Sequence, residues 1–127
     1  MGGGGGTWEF MTPVFKERWW KGASLQNATK IQCEPLQDLL RKHAPGISFY
    51  DFMSVDVEGA EVQALESIDY DENSFGVIFV EESDLIGKDV FVRTFLESKG
   101  YMFAHSASRS QWFVNNQFHE IYDGLVA

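Results

Sequence analysis

Four acidic residues follow two short apolar runs of the sequence, and their types and positions suit them to chemistry. Asp56 and Glu58 end one run, and Glu81 and Glu82 end the other. A carboxylate at such a point can hydrogen-bond a ribose or an amine, accept a proton, hold a divalent metal ion or stabilise a sulfonium. The simpler alternative is that acids after strands cap the next helix and favour its positive end, a role that Glu58 and Glu61 can fill.

The residues around the first pair of acids predict a strand, a tight turn and a helix in direct succession. The apolar run contains Phe52, Met53, Val55 and Val57. Such a run is typical of a strand that is buried on both faces of a parallel sheet. Gly59 permits a tight turn or a close approach of the backbone. Apolar residues recur at helical spacing from Ala60, so the stretch forms half of a βαβ unit.

The second apolar run, residues 75–80, predicts another buried strand. Ligands of open α/β sheets bind beyond the carboxyl ends of the strands. Because both acidic pairs follow predicted strands, they can lie side by side at such a crevice. We therefore expect the functional site at these strand ends.

Hydrophobic periodicity and capping residues predict the other elements. Strands are expected near residues 30–33, 48–57, 75–81, 101–106 and 111–115, and helices near 13–20, 35–44, 60–68 and 88–98. The loop between the last two strands is short enough for an antiparallel hairpin. The predicted class is α/β, with a mostly parallel sheet that ends in an antiparallel hairpin.

Composition limits the kinds of partner. The 127 residues are enough for one domain, and 44% of them are hydrophobic. The net charge is −9, and residues 51–87 contain eleven acids without a Lys, Arg or His. This charge argues against a nucleic acid partner, which needs clustered Lys and Arg. No apolar run reaches the length of a membrane span, so none is expected.

Several other residues are expected to have ordinary structural roles. Acids predicted only to face water are Glu61, Glu66, Asp69, Asp71 and Glu72. Thr12 should cap a helix that begins at Pro13, and His43 should lie in the last turn of the next one. Cys33 is the one cysteine, which excludes an internal disulfide, and we expect it to be buried.

The stretch FMSVDVEGAEVQALESID, residues 52–69, also carries a family signature. It resembles that of the FkbM family of S-adenosylmethionine-dependent methyltransferases. Members typically show a strand ending in Asp-Val-Glu-Gly-Ala-Glu, a helix with a late leucine, and a strand ending in Val-Glu. Here these features are residues 56–61, Leu65 and residues 80–81. Residues 34–40 and the predicted hairpin also resemble the family, so that the likeness covers roughly residues 28 to 116.

The resemblance implies a Rossmann-like class I methyltransferase fold and S-adenosylmethionine as the cofactor. It also implies O-methylation of a small-molecule or glycan hydroxyl. Asp56, Glu58 and Glu81 are then the catalytic residues, which orient or deprotonate the acceptor hydroxyl. Asp56 and Gly59 are the residues expected to contact the cofactor. No residue is assigned as a metal ligand.

The chain also departs from the family pattern at its amino-terminal side. Members begin with a strand and a glycine-rich loop that holds the methionine part of the cofactor, and neither is visible here. Residues 1–7 are a glycine-rich start that we expect to be disordered. Residues 8–127 are interpreted as a partial domain, its carboxyl-terminal half. The edge of the strand at residues 48–57 would then be open to a second copy or to the missing half.

Two further functions are compatible with the sequence. The first is a non-catalytic interaction module of the same fold, because the glycine-rich cofactor loop is missing. Trp8, Trp19 and Trp20 would then form its partner surface. The second is a divalent-metal binder that uses the acids at the strand ends.

Overall fold

A computed structural model describes residues 7–22, 26 and 28–118 of the chain. The helices are α1 (Pro13–Trp19), α2 (Leu36–His43), α3 (Glu61–Glu66) and α4 (Lys88–Ser98). The strands are β1 (Phe49–Val55), β2 (Ser74–Glu81), β3 (Tyr101–Ala107) and β4 (Ser110–Asn115), and a 3₁₀ turn follows at Asn116–Phe118. The boundaries predicted from the sequence for these helices and strands agree with the observed ones to about one or two residues, the usual uncertainty at the ends of such elements.

Local capping explains where several helices begin and end. The Thr12 hydroxyl accepts a hydrogen bond from the Phe15 N–H at 3.1 Å, and Pro13 is the first residue of α1, as predicted. His43 lies in the last turn of α2 with two other basic residues, which complements the helix dipole and confirms its predicted place. Gly100 follows α4 with a φ of 89°.

The described strands form one mixed sheet in the order β1-β2-β4-β3. β1 and β2 are parallel, as a βαβ unit requires, whereas β4 is antiparallel to both β2 and β3. The prediction of a mostly parallel sheet is therefore wrong, because the hairpin inserts β4 beside β2. The hairpin itself is confirmed. Its two-residue loop, Ser108 and Arg109, has φ values of 52° and 63°, which match the twist of paired strands.

Three of the described helices pack with this sheet around one core. The buried core consists of Val55, Leu65, Ile68, Phe75, Ile78, Val80, Val92, Leu96, Tyr101 and Phe113. Leu36 and Leu40 of α2, Val62 of α3 and Phe95 of α4 pack against it. The helices α2, α3 and α4 thus pack on the core residues of β1 and β2, the two strands whose ends carry the acids.

β1 is an edge strand and is not buried on both faces as predicted. Among the described residues it pairs only with β2. Its Phe52 side chain is 65% exposed, and Phe49 and Val57 are also exposed. The apolar composition of residues 52–57 suits a central strand, but no described segment covers the outer side of β1.

Two local predictions are also wrong. The strand expected at residues 30–33 is absent from the structure, where this segment is exposed and unpaired with the sheet. Cys33 is exposed for the same reason. The disorder predicted for residues 1–7 falls outside the described residues, except for Thr7. Within the described part of the chain, no helix is long and apolar enough to cross a membrane.

Candidate functional site

The parallel register of β1 and β2 brings their acidic ends together. Val55 pairs with Val80, so Asp56 and Glu81 follow neighbouring positions of the two strands. Among the described residues, the carboxylates of Asp56, Glu58 and Glu81 form a group in which one oxygen of each lies within 4.8 Å of the others. We call these three residues the acid cluster. Glu82, the fourth predicted acid, lines the adjacent cavity but lies outside the cluster.

The turn between β1 and α3 has an unusual backbone that places Glu58. Glu58 has a φ of 53°, and Gly59 has a φ of 111°. A residue with a side chain rarely adopts a positive φ, so the conformation of Glu58 needs support from its surroundings. Glu61 provides this support, because its Oε1 accepts hydrogen bonds from the Val57 and Gly59 N–H groups, both at 3.1 Å.

Besides its positive φ, Gly59 is required because another segment of the backbone passes close to it. A Cβ at this position would lie 1.9 Å from the carbonyl oxygen of Phe10. The sequence left a tight turn and a close backbone approach as alternatives at Gly59, and the structure has both: Gly59 lies in the turn before α3, and the segment before α1 approaches it. This contact places α1 over the ends of β1 and β2.

Glu61 is buried and charged, and it pairs with the first residue of α4. The Glu61 side chain is 1% exposed, and its Oε2 accepts a hydrogen bond from the ammonium group of Lys88, which is 9% exposed. Burial by itself raises the pKa of Glu61, but the bonds from Lys88 and the Gly59 N–H outweigh it. The pKa of Glu61 is therefore below its ordinary value.

Two members of the acid cluster have raised pKa values. Burial, followed by the charge of Asp56 and a hydrogen bond with it, raises the pKa of Glu81 to about 7. Burial and the charges of Asp56 and Glu61 also raise the pKa of Glu58, although Arg109 partly opposes this shift. Like charges close together resist simultaneous ionisation, so the cluster can hold a proton near neutral pH.

A cavity of about 230 Å³ opens beside the acid cluster. One wall is formed by α1 and its cap, through Thr12, Val14, Phe15, Arg18 and Trp19. The opposite wall comes from the strand ends and the start of α4, through Glu58, Gly59, Glu61, Glu81, Glu82, Ser83, Asp84, Lys88 and Arg109. The cavity therefore offers carboxylates, cationic groups and two aromatic rings to a bound molecule.

Comparison with known proteins identifies the family. The family model described as "Methyltransferase FkbM domain" matches residues 5–103, which is more than half of the chain. This chain belongs to the FkbM methyltransferase family. The resemblance read from residues 52–69 is thus confirmed. No curated protein and no solved structure matches the chain.

The family match extends the FkbM domain beyond the resemblance seen in the sequence. It includes the segment before α1 and α1 itself, which lay outside residues 28–116. It ends within β3, so β4 lies beyond the matched residues. The contact between Phe10 and Gly59 is therefore a feature of the matched part of this FkbM domain.

Sequence reasoning missed several residues of the FkbM domain's site. The prediction that Glu61 faces water is wrong, because the side chain turns back to the N–H groups of its own turn. The alternative that Glu61 is a cap describes it better, although the N–H groups that it caps belong to the turn before α3. Lys88 and Arg109 carry no comparable signal, because they are distant in sequence and only the fold brings them to the site.

Proposed function

We propose that this FkbM domain transfers a methyl group from S-adenosylmethionine to a hydroxyl of a sugar or another small molecule. The observation that carries the proposal is the acid cluster beside the cavity, at the carboxyl ends of two parallel strands. That is where ligands of open α/β sheets bind. The membership of a methyltransferase family supports the type of reaction.

The acid cluster suits both partners of such a transfer. When bound, S-adenosylmethionine supplies an electrophilic methyl group on a positively charged sulfonium, and carboxylates favour a positive charge nearby. Glu81, with a pKa of about 7, can accept the proton of the acceptor hydroxyl near neutral pH. In our proposal Asp56 and Glu58 orient that hydroxyl. Methyl transfer is an in-line displacement, so orientation matters more than strong base chemistry.

The donor side of the site is only partly formed by the described residues. We assign Asp56 and Gly59 to it, and the presence of Gly59 in the cavity wall supports this assignment. The carbonyl of Phe10 fills the other side of Gly59. No glycine-rich loop after a strand is found among the described residues. In our proposal the domain is the carboxyl-terminal half of a Rossmann-like class I fold, and another segment or a second copy completes the donor site.

Methyl transfer from isotope-labelled S-adenosylmethionine to a panel of monosaccharides tests this function. We expect Asp56→Ala to lower the transfer rate by about 10²-fold or more while the protein stays folded, because Asp56 orients the reacting hydroxyl. Asp51→Ala is the matched control, since Asp51 is an exposed acid of the same strand. An Asp56→Ala protein that transfers methyl groups at the wild-type rate would refute the proposed role.

A non-catalytic interaction module is the second candidate. The exposure of Trp19, at the end of α1, and of Trp20, which follows it, favours this candidate. Trp8, the third tryptophan of the predicted surface, is half-buried and does not. Exposed aromatic side chains are common at protein interfaces. This candidate predicts that the folded protein gives no methyl transfer to any acceptor. It also predicts that Trp19→Ser reduces capture of a partner without changing the melting temperature.

A further inference from the structure

Lys88 and Glu61 connect the start of α4 to the turn that carries Glu58. Both oxygens of Glu61 are engaged: Oε2 accepts from Lys88, and Oε1 accepts from the N–H groups of Val57 and Gly59. These two N–H groups lie on either side of Glu58 in the chain. One buried carboxylate therefore fixes the backbone before and after the residue that has a φ of 53°.

The hydrogen bond and the charge of Lys88 favour the ionised form of this buried carboxylate, against the opposite effect of burial. A buried carboxylate without a cation tends to take up a proton or to move towards water, and either change weakens the bonds that it accepts. The negative charge of Glu61 also raises the pKa values of Glu58 and Glu81, so the cluster itself repels it. The ammonium group of Lys88 opposes this repulsion through a charge-assisted hydrogen bond to Glu61 Oε2.

We propose that Lys88 is a positioning residue of the site, which acts through Glu61 to hold Glu58 beside Asp56 and Glu81. Lys88 then governs the geometry of the acid cluster without taking part in the reaction. The acid cluster is the donor and acceptor site of the proposed methyl transfer, so any effect of Lys88 on ligand binding rests on that proposed function. The effect of Lys88 on the backbone of the turn is independent of it.

Amide hydrogen exchange, followed by nuclear magnetic resonance, tests the effect on the turn. We expect Lys88→Met to speed exchange at the Val57 and Gly59 amides by about tenfold or more, since their shared acceptor is loosened. Exchange at Ile78, in the core of the sheet, should stay at the wild-type rate. Lys88→Arg, which keeps the charge, should restore most of the protection.

The control is Arg41→Met, which removes an ion pair far from the site, between side chains that are about half exposed and not buried. Arg41 contacts Glu72 at 2.7 Å, before the amino-terminal end of β2, whereas the acid cluster lies at its carboxyl-terminal end. This control should leave the Val57 and Gly59 amides unchanged. If Lys88→Met does not fold, Lys88→Gln, which keeps a hydrogen-bond donor without the charge, is measured in its place.

Two results would overturn the positioning role. The first is wild-type exchange at Val57 and Gly59 in Lys88→Met. The second is an equal acceleration at Ile78, which would show general destabilisation. Titration with S-adenosylmethionine is the separate second readout, in which Lys88→Met should bind about tenfold or more weakly. A wild-type protein that binds no S-adenosylmethionine would refute the proposed function, while the exchange result still decides the role of Lys88.

Discussion

The raised pKa of Glu81 affects both the stability of the folded protein and the proton that the acid cluster can hold. Its carboxyl group holds a proton up to about pH 7, because it is partly buried and close to the charge of Asp56. This closeness makes the ionised form of Glu81 unfavourable in the folded protein, and in the proposed methyl transfer it suits Glu81 to accept a proton. Sites of this kind commonly trade stability for function.

The raised pKa of Glu81 predicts a pH-dependent gain in stability when the charge is removed. The folded pKa of about 7 lies above the ordinary value of 4.5, so the folded state binds this proton more tightly than the unfolded state. The contribution of Glu81 is therefore favourable below pH 4.5 and is lost as the pH rises through 7. We expect Glu81→Gln to be more stable than wild type by about 1–2 kcal/mol at pH 8.

Urea unfolding of Glu81→Gln and wild type at pH 8 and at pH 4 measures this difference. The gap between the two proteins should close at pH 4, where the wild-type carboxyl group is also neutral. Glu66→Gln, a change at an exposed position of α3, is the control and should show no such dependence. A difference in the free energy of unfolding that is the same at both pH values would contradict the raised pKa of Glu81.

The turn between β1 and α3 joins the site to the amino-terminal segment. Gly59→Ala should be strongly destabilising, because its Cβ would meet the Phe10 carbonyl at 1.9 Å and its φ is 111°. Gly46→Ala is the matched control, with a φ of 81° and no atom within 4 Å of the added Cβ. We expect a loss of about 1 kcal/mol for Gly46→Ala and roughly 3 kcal/mol or more for Gly59→Ala.

The free energy of unfolding in urea gives both values. Equal losses for the two variants would mean that only the backbone conformation matters at Gly59. The contact with Phe10 would then be absent in solution, and α1 would not form a wall of the cavity.

The helices and strands that were predicted correctly are those marked by residues within or next to the element itself. Thr12 and Pro13 mark the start of α1 by capping alone, and the run before Asp56 marks β1 by its apolar residues. The strand expected at residues 30–33 failed because a strand also needs a neighbour, which composition does not reveal. Lys88 was missed for the same reason, since its meeting with Glu61 depends on the fold.

The site was partly predictable for a related reason. Asp56, Glu58 and Glu81 come together because parallel strands end at the same edge of a sheet, which follows from sequence order once two strands are assigned. The wall formed by α1 depends on a contact between distant backbones at Gly59, and no pattern in the sequence indicates which segment makes it.

In the whole molecule, β1 is one of the two edge strands of the described sheet, and no described segment pairs with its outer edge. Phe52 is 65% exposed there, and an exposed apolar edge strand is a template for pairing with another chain. We therefore expect self-association of the purified protein through β1. Phe52→Lys should weaken it about tenfold or more, since it removes an apolar ring that the contact between copies would bury and adds a charge there.

Sedimentation velocity over a range of concentrations measures this self-association. Ile86→Lys is the control, because Ile86 is an exposed apolar residue in the loop before α4 and lies outside the sheet. Wild-type protein that stays monomeric throughout, or equal weakening by both variants, would exclude β1 as the contact.

Isothermal titration calorimetry with S-adenosylmethionine tests whether the acid cluster of this FkbM domain belongs to a cofactor site. We expect micromolar binding to the wild-type protein, about −8 kcal/mol. Asp56→Ala should bind about tenfold or more weakly, and Asp51→Ala should bind as wild type does. The absence of binding heat at several temperatures, from protein that circular dichroism shows to be folded, would contradict the claim.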